Sequence, residues 1–258
     1  MIGQTGRMDD AELVRVIEDN AAELLMAMGA AGGGSQRDDA VARWTIGGSP
    51  IDYHNAVLAA SDERAAAESL ALLKKHGVPG CWHVGPSMQI SREALLTAGF
   101  VAAGSEPGMA VRIDELVPAE APGLSLTRVG DDAALAVWEA TLGRGFGEGE
   151  REARWVASVY QKLGYDDPWQ HYIGWLDGEA VATATVFLGA GVAGLYFVMT
   201  VPEVRRRGIG AAITYGALRD ASAEYAVLES SPAGRSVYER LGFREYCTIE
   251  LYEWTPTG

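Results

Sequence analysis

Arg205, Arg206, Arg207, Gly208, Ile209 and Gly210 place three guanidinium groups and two glycines in consecutive positions. Guanidinium groups grip oxyanions with paired N–H bonds, and glycine lets a backbone turn its amides toward a single point. The flanking residues decide how that bend is held. Leu195 to Val201 is apolar and rich in β-branched and aromatic residues, so it reads as a buried strand. Pro202 ends it, having no N–H for a ladder. Ala211 to Ala221 is helix-permissive. In the order strand, cationic glycine turn, helix, the arginines share one focus with the turn amides and the positive end of the helix dipole. Such a focus suits a pyrophosphate.

Other chemistries fit less well. An arginine triplet also suits a solvated basic run or a nucleic-acid contact. A Walker-type phosphate loop needs a lysine followed by Ser or Thr, which is absent here. A dinucleotide fingerprint needs a third glycine where Ile213 stands. Gly189, Gly191 and Gly194 have that fingerprint spacing, but they lie between two apolar runs and open no helix, so they read as a hairpin turn.

The surviving pattern is Arg205-x-x-Gly208-x-Gly210, and a second stretch strengthens it: Ser230-Ser231-Pro232-Ala233-Gly234-Arg235-Ser236-Val237-Tyr238-Glu239-Arg240-Leu241-Gly242-Phe243. Together they resemble the GCN5-related N-acetyltransferases (GNAT). That family's coenzyme A loop reads Gln/Arg-x-x-Gly-x-Gly/Ala between a strand and a helix, and its second half-motif carries a tyrosine helix before Leu-Gly-Phe. The resemblance spans roughly Leu124 to Trp254.

It implies an acetyl-CoA-dependent N-acetyltransferase with a small-molecule or peptide amine as acceptor, direct attack in a ternary complex and no metal. Backbone amides from Arg206 to Ala211, with the charges of Arg205, Arg206 and Arg207, would hold the diphosphate; Met199, Thr200 and Val201 would offer amides to the oxyanion on a bulged central strand. A fixed donor of that kind is worth about 3–4 kcal/mol. Tyr238 is the candidate general acid. Its phenol, of ordinary pKa near ~10, faces a thiol of about 8.5, so geometry decides whether it donates. Glu229, at a strand end, is the candidate base, although a surface glutamate or a water relay fits equally. Ser231 stands where the family often has a coenzyme-contacting asparagine, and a hydroxyl offers fewer contacts. A non-catalytic acyl-CoA sensor or interaction module is the alternative.

The remaining composition agrees. A net charge of −14 disfavours nucleic acid and anionic membranes, whose phosphates it repels. Cys81 and Cys247 give neither a disulfide framework nor metal spacing, and four histidines are scattered. Met1 to Asp10 lacks the pattern of a signal peptide, and no apolar run reaches spanning length. A cytoplasmic monomer or homodimer is the expectation.

Asp9 to Met28 is a helix by apolar spacing, and Gly29 to Asp39 a glycine-rich loop. Val41 to Ile46, Ala56 to Ala60, Gly80 to Val84 and Met109 to Ile113 are strands, with helices from Ser61 to Lys75 and Ser91 to Ala98. The run Cys81 to Ser87, a helix, then Ala98-Gly99-Phe100 parallels Ala226 to Pro232, a helix, then Leu241-Gly242-Phe243. That is an internal repeat at domain scale. Its first copy has no cationic glycine turn, and Leu95 replaces Tyr238.

The fold class expected is therefore α/β (a mixed α+β sheet): two GNAT-like domains in tandem, each a mostly antiparallel central sheet flanked by helices. Residues 1–116 form the degenerate copy, 117–123 the linker and 124–258 the catalytic domain. Helices from Asp131 to Leu142 and Glu150 to Leu163, with the Gly143–Gly149 loop, would cover the acceptor, and Asp177-Gly178 turns a hairpin. One strand is missing after the tyrosine helix: either the other half supplies it or it is absent.

Overall fold

The computed structural model describes residues 7–145, 147 and 149–256. Met1–Gly6 of the N-terminal stretch, and Phe146 and Glu148 of the acceptor-side loop, lie outside the described residues.

Helix α1, Asp10–Ala31, starts from a capping box in which the Asp9 carboxylate accepts from the Glu12 N–H and Glu12 reaches back to the Asp9 N–H. Strands β1 (Ser35–Asp38), β2 (Ala42–Ile46) and β3 (Ala56–Ala60) follow, then α2 (Arg64–His76), β4 (Gly80–Val84), α3 (Arg92–Ala98) and β5 (Val101–Arg112). The second half runs β6 (Leu124–Arg128), α4 (Asp132–Gly143), α5 (Glu150–Leu163), β7 (Trp169–Leu176), β8 (Glu179–Gly189), β9 (Val192–Thr200), α6 (Ile209–Leu218), β10 (Tyr225–Glu229), α7 (Arg235–Arg240) and β11 (Arg244–Trp254). Asp177 and Gly178 turn between β7 and β8, and Ala190 and Gly191 between β8 and β9, all with positive φ as two-residue hairpins of the primed type require. The Gly189–Gly194 spacing is thus a hairpin, as its flanking apolar runs require. Two expectations change. The loop beginning at Gly29 contains the edge strand β1, and β5 starts at Val101 because β11 pairs with it along most of its length.

All strands join one mixed eleven-stranded sheet, in the order β1-β2-β3-β4-β11-β5-β10-β9-β8-β7-β6. The two central sheets expected from the repeat are therefore continuous, and the continuity comes from an exchange. Strand β11 leaves its own half to pair antiparallel with β4, while β5 crosses to pair antiparallel with β10, and the two exchanged strands pair with each other. The strand missing after the tyrosine helix is β5. Each half keeps one short parallel contact, Ala56 and Val57 beside Cys81 and Trp82 in the first, Ala193 and Gly194 beside Ala226 and Val227 in the second.

Alternation along β10 sorts the layers. Tyr225 and Val227 pack with Leu13 and Ile17 of α1. Ala226 lies opposite Val111, whose methyl approaches the chain just after α7 at Gly242. Helices α1 and α7 therefore cover opposite faces, and Glu229 points to the α1 side. A core running from α1 through Trp138, Tyr160 and Val186 to Ile213 and Leu218 spans both halves.

Candidate active site

Strand β9 carries the first distortion. Thr183 of β8 pairs with Met199, but Thr185 pairs with Tyr196, so β9 holds one extra residue between them. Phe197 adopts φ of 50° there, a left-handed conformation that costs a bulky residue about 1 kcal/mol or more. The Thr183 hydroxyl donates to the Phe197 carbonyl at 2.8 Å and pins the bulge. The Tyr196 hydroxyl donates to Asn20 Oδ1 of α1 at 2.6 Å, while Phe197 packs near Trp138, Tyr160 and His54. Beyond Val227 the ladder between β9 and β10 ends and the two strands part.

The oxyanion amides expected at Met199, Thr200 and Val201 lie just past this bulge. Val201 is corrected: its N–H already donates to the Val181 carbonyl at 2.9 Å, so it is spent in the sheet. The irregularity is centred two residues before Met199.

The cationic turn follows. Pro202–Val204 forms a single 3-10 turn, Arg205 is extended, Arg206 takes φ of 62°, and Gly208 caps α6 at φ of 79°. Helix α6 begins at Ile209, earlier than the Ala211 expected, because Gly208 supplies the left-handed entry. Gly208 has no side chain to cap the helix, and the first amide bonded back within it is that of Ala212, to the Gly208 carbonyl. The amides of Ile209, Gly210 and Ala211 are thus the orphan donors of the first turn. A Cβ on Gly210 would meet nothing closer than the Thr200 hydroxyl at 3.6 Å. The chain therefore leaves space over that amide. Arg206 and Arg207 are exposed and have no ion pair among the described residues. Arg205 differs from its expected role: its guanidinium donates to the Thr200 carbonyl at 2.9 Å and the Gly145 carbonyl at 3.0 Å, tying the turn to the loop after α4.

Glu229 ends β10, with its carboxylate 3.2 Å from the Tyr53 hydroxyl, which lies 3.2 Å from Glu106 as well. Burial, then the neighbouring Glu106 charge, pushes Glu229 up to about 8. Burial raises Glu106 too. Tyr238 on α7 is half-buried, its ring 5.8 Å from that of Phe243; burial raises its phenol, which keeps it protonated. Its hydroxyl has no hydrogen-bond partner among the described residues. Since α1 and α7 cover opposite faces, Glu229 and Tyr238 flank the parted strands from opposite sides. The Ser231 hydroxyl accepts from the Gly234 N–H at 3.2 Å, so it shapes the turn into α7.

Comparison with known proteins gives the family. Residues 132–243 match the model of the acetyltransferase (GNAT) family. That segment is a GNAT domain. It contains both the Arg205–Gly210 turn and Tyr238. The fold of the whole chain is similar to a GCN5-related N-acetyltransferase from Kribbella flavida, at 18% identity and a TM-score of 0.68, covering 92% of this chain and 96% of that one. It is similar to a tandem GNAT protein from the clavulanic acid biosynthesis pathway, at 17% identity and a TM-score of 0.54 over 76% of this chain and 70% of that one. A functionally unknown protein from Staphylococcus epidermidis has a TM-score of 0.68 at 11% identity, covering 87% and 95%. No curated protein matches the sequence. Members of the GNAT family use acetyl-CoA, and the orphan amides and open glycine of the turn fit its diphosphate. No helix of the described residues is long and apolar enough to cross a membrane, and no group of three His, Cys, Asp or Glu among them is placed to hold a metal ion.

Sequence reasoning missed Tyr53, Glu106, His83 and Phe197. The first three come from the N-terminal half and reach Glu229 through the exchanged strand β5, for which the sequence carries no local signal. Phe197 sits at a left-handed position that its residue type gives no reason to expect.

Proposed function

We propose that the chain is an acetyl-CoA-dependent N-acetyltransferase acting on the amine of a small molecule or peptide. The observation that carries this is the Arg205–Ala211 turn, where unbonded first-turn amides, two free arginines and the open space at Gly210 converge. The amides of Ile209, Gly210 and Ala211 and the side chains of Arg206 and Arg207 hold the diphosphate, and Arg205 fixes the loop they stand on. When bound, acetyl-CoA supplies an acyl group activated as a thioester. Glu229 takes the proton from the acceptor's ammonium so that the nitrogen lone pair is free to attack, and Tyr238 returns a proton to the departing sulfur. Base and acid work from opposite faces, so the gap between β9 and β10 is the place of transfer. Residues 1–116 form the half without a coenzyme turn, 117–123 the linker, and 124–258 the half that binds coenzyme.

Calorimetric titration with acetyl-CoA, alongside release of free thiol across a panel of amines, tests the proposal. Binding abolished by Gly210→Leu and thiol release with an amine are expected. Unchanged affinity in Gly210→Leu sinks the coenzyme site, and binding without turnover on any amine leaves the non-catalytic sensor instead.

A further inference from the structure

On the α1 face of the sheet, Glu229, His83 and Glu18 line a cavity of about 10 Å³ beside Ala21, Leu58 and Ile249, room for one water-sized group. Its polar lining consists of acceptors. His83 is 6% exposed, and its Nε2 lies 3.1 Å from the Tyr53 carbonyl. A carbonyl only accepts, so Nε2 carries the hydrogen and Nδ1 presents a bare lone pair. That Nδ1 is buried and has no partner. Behind the cavity wall, Tyr53 stands between Glu106 and Glu229. One hydroxyl proton serves one carboxylate at a time, so the other lacks a donor. Among the described residues neither glutamate has an ion pair with Lys, Arg or His, and both belong to strands paired side by side, Glu229 opposite Gly108 two residues from Glu106.

A site made of lone pairs and carboxylates calls for a ligand that brings N–H groups and positive charge. A metal ion is disfavoured by the absence of three ligating side chains in one group among the described residues. An ammonium head has the size of a water, three donors and one charge. We infer that the acceptor is an aliphatic diamine or polyamine without a carboxylate, docked by Glu229 from the C-terminal half and by Glu106, Tyr53 and His83 from the N-terminal half. This rests on the N-acetyltransferase reading above and deepens it. The two-carboxylate arrangement sets the number of nitrogens. Glu229 discharges the ammonium that will react, while Glu106 stays anionic and pairs with a second cationic nitrogen. A carboxylate on the acceptor would meet Glu106, Glu229 and Glu18 and be repelled. The half without a coenzyme turn thus acts in acceptor recognition.

The test is calorimetry on the full chain without acetyl-CoA, using putrescine, butylamine and γ-aminobutyrate as probes. Putrescine is expected to bind about tenfold tighter than butylamine, equivalent to about 1.4 kcal/mol, and γ-aminobutyrate more weakly than either. Glu106→Gln should erase the preference for putrescine over butylamine while leaving acetyl-CoA affinity intact. No heat with putrescine, or γ-aminobutyrate binding as tightly, overturns the inference without recourse to any variant. Putrescine binding without thiol release on adding acetyl-CoA would instead count against the transferase reading alone.

Discussion

Leu95 and Tyr238 occupy the same position in two copies of one local structure. The N–H of Phe100 donates to the Leu95 carbonyl at 3.1 Å, and the N–H of Phe243 donates to the Tyr238 carbonyl at 3.1 Å. Each helix closes on a left-handed glycine, Gly99 at φ of 105° and Gly242 at φ of 98°. The backbone is repeated, while the hydroxyl is present only in the second copy. Leu95 is fully buried in its own core and Tyr238 half-buried with its hydroxyl unbonded, as a proton donor would require.

Tyr238→Phe should therefore lower turnover by about 10²-fold, the lower range for a lost general acid, with acetyl-CoA affinity unchanged. Thiol-release kinetics and calorimetry read the two quantities separately. An unaltered rate removes Tyr238 from the reaction.

Glu229 sets a pH dependence. Raised to about 8, it is ionised, and so able to take a proton, only on the alkaline side. The value of kcat/KM should rise with pH and level off above that point, and Glu229→Gln should lose the limb. Stability runs the other way. The folded chain holds this proton where the unfolded chain has released it, so ionisation costs stability as pH climbs through the window. Between about pH 6 and about pH 9 the Tm of the wild type should fall relative to Glu229→Gln.

The glycines of the coenzyme turn should separate by mechanism. Gly208→Ala forces a Cβ into a left-handed position and should cost about 1 kcal/mol of stability as well as acetyl-CoA affinity. Gly210→Ala meets only open space in the chain, so its Tm should hold while acetyl-CoA binding weakens. Thermal melts with and without acetyl-CoA distinguish them.

Arg205 joins the end of β9 to the loop after α4 through two carbonyls. Arg205→Lys keeps the charge but cannot span both. It should raise the KM for the amine severalfold, with a smaller change for acetyl-CoA. An unchanged KM for the amine would show that this loop takes no part in acceptor binding.

The exchanged strands predict that neither half is independent. A chain ending at Gly242 loses β11, and with it the partner of β4 and β5. Residues 1–116 or 124–258 expressed alone should show no cooperative melt, while co-expression should restore one. A cooperative transition from either half alone would contradict the shared sheet.

Local chemistry determined much of this protein. Pro202, Gly208 and the apolar run before them suffice to write strand, turn and helix, because φ restriction and alternation act within a few residues. The same holds for the Asp177-Gly178 hairpin and for the family pattern running from Arg205 to Phe243. The tertiary structure decided which strand lies beside which. The stretch from Val101 to Gly108 is small, exposed and interrupted by Pro107, yet it is a strand because β11 pairs with it. Only that pairing carries Glu106 to Glu229 and brings Tyr53 and His83 to the same face. A site assembled from residues more than a hundred positions apart depends on long-range register, and register is an energy of partners that no single segment contains.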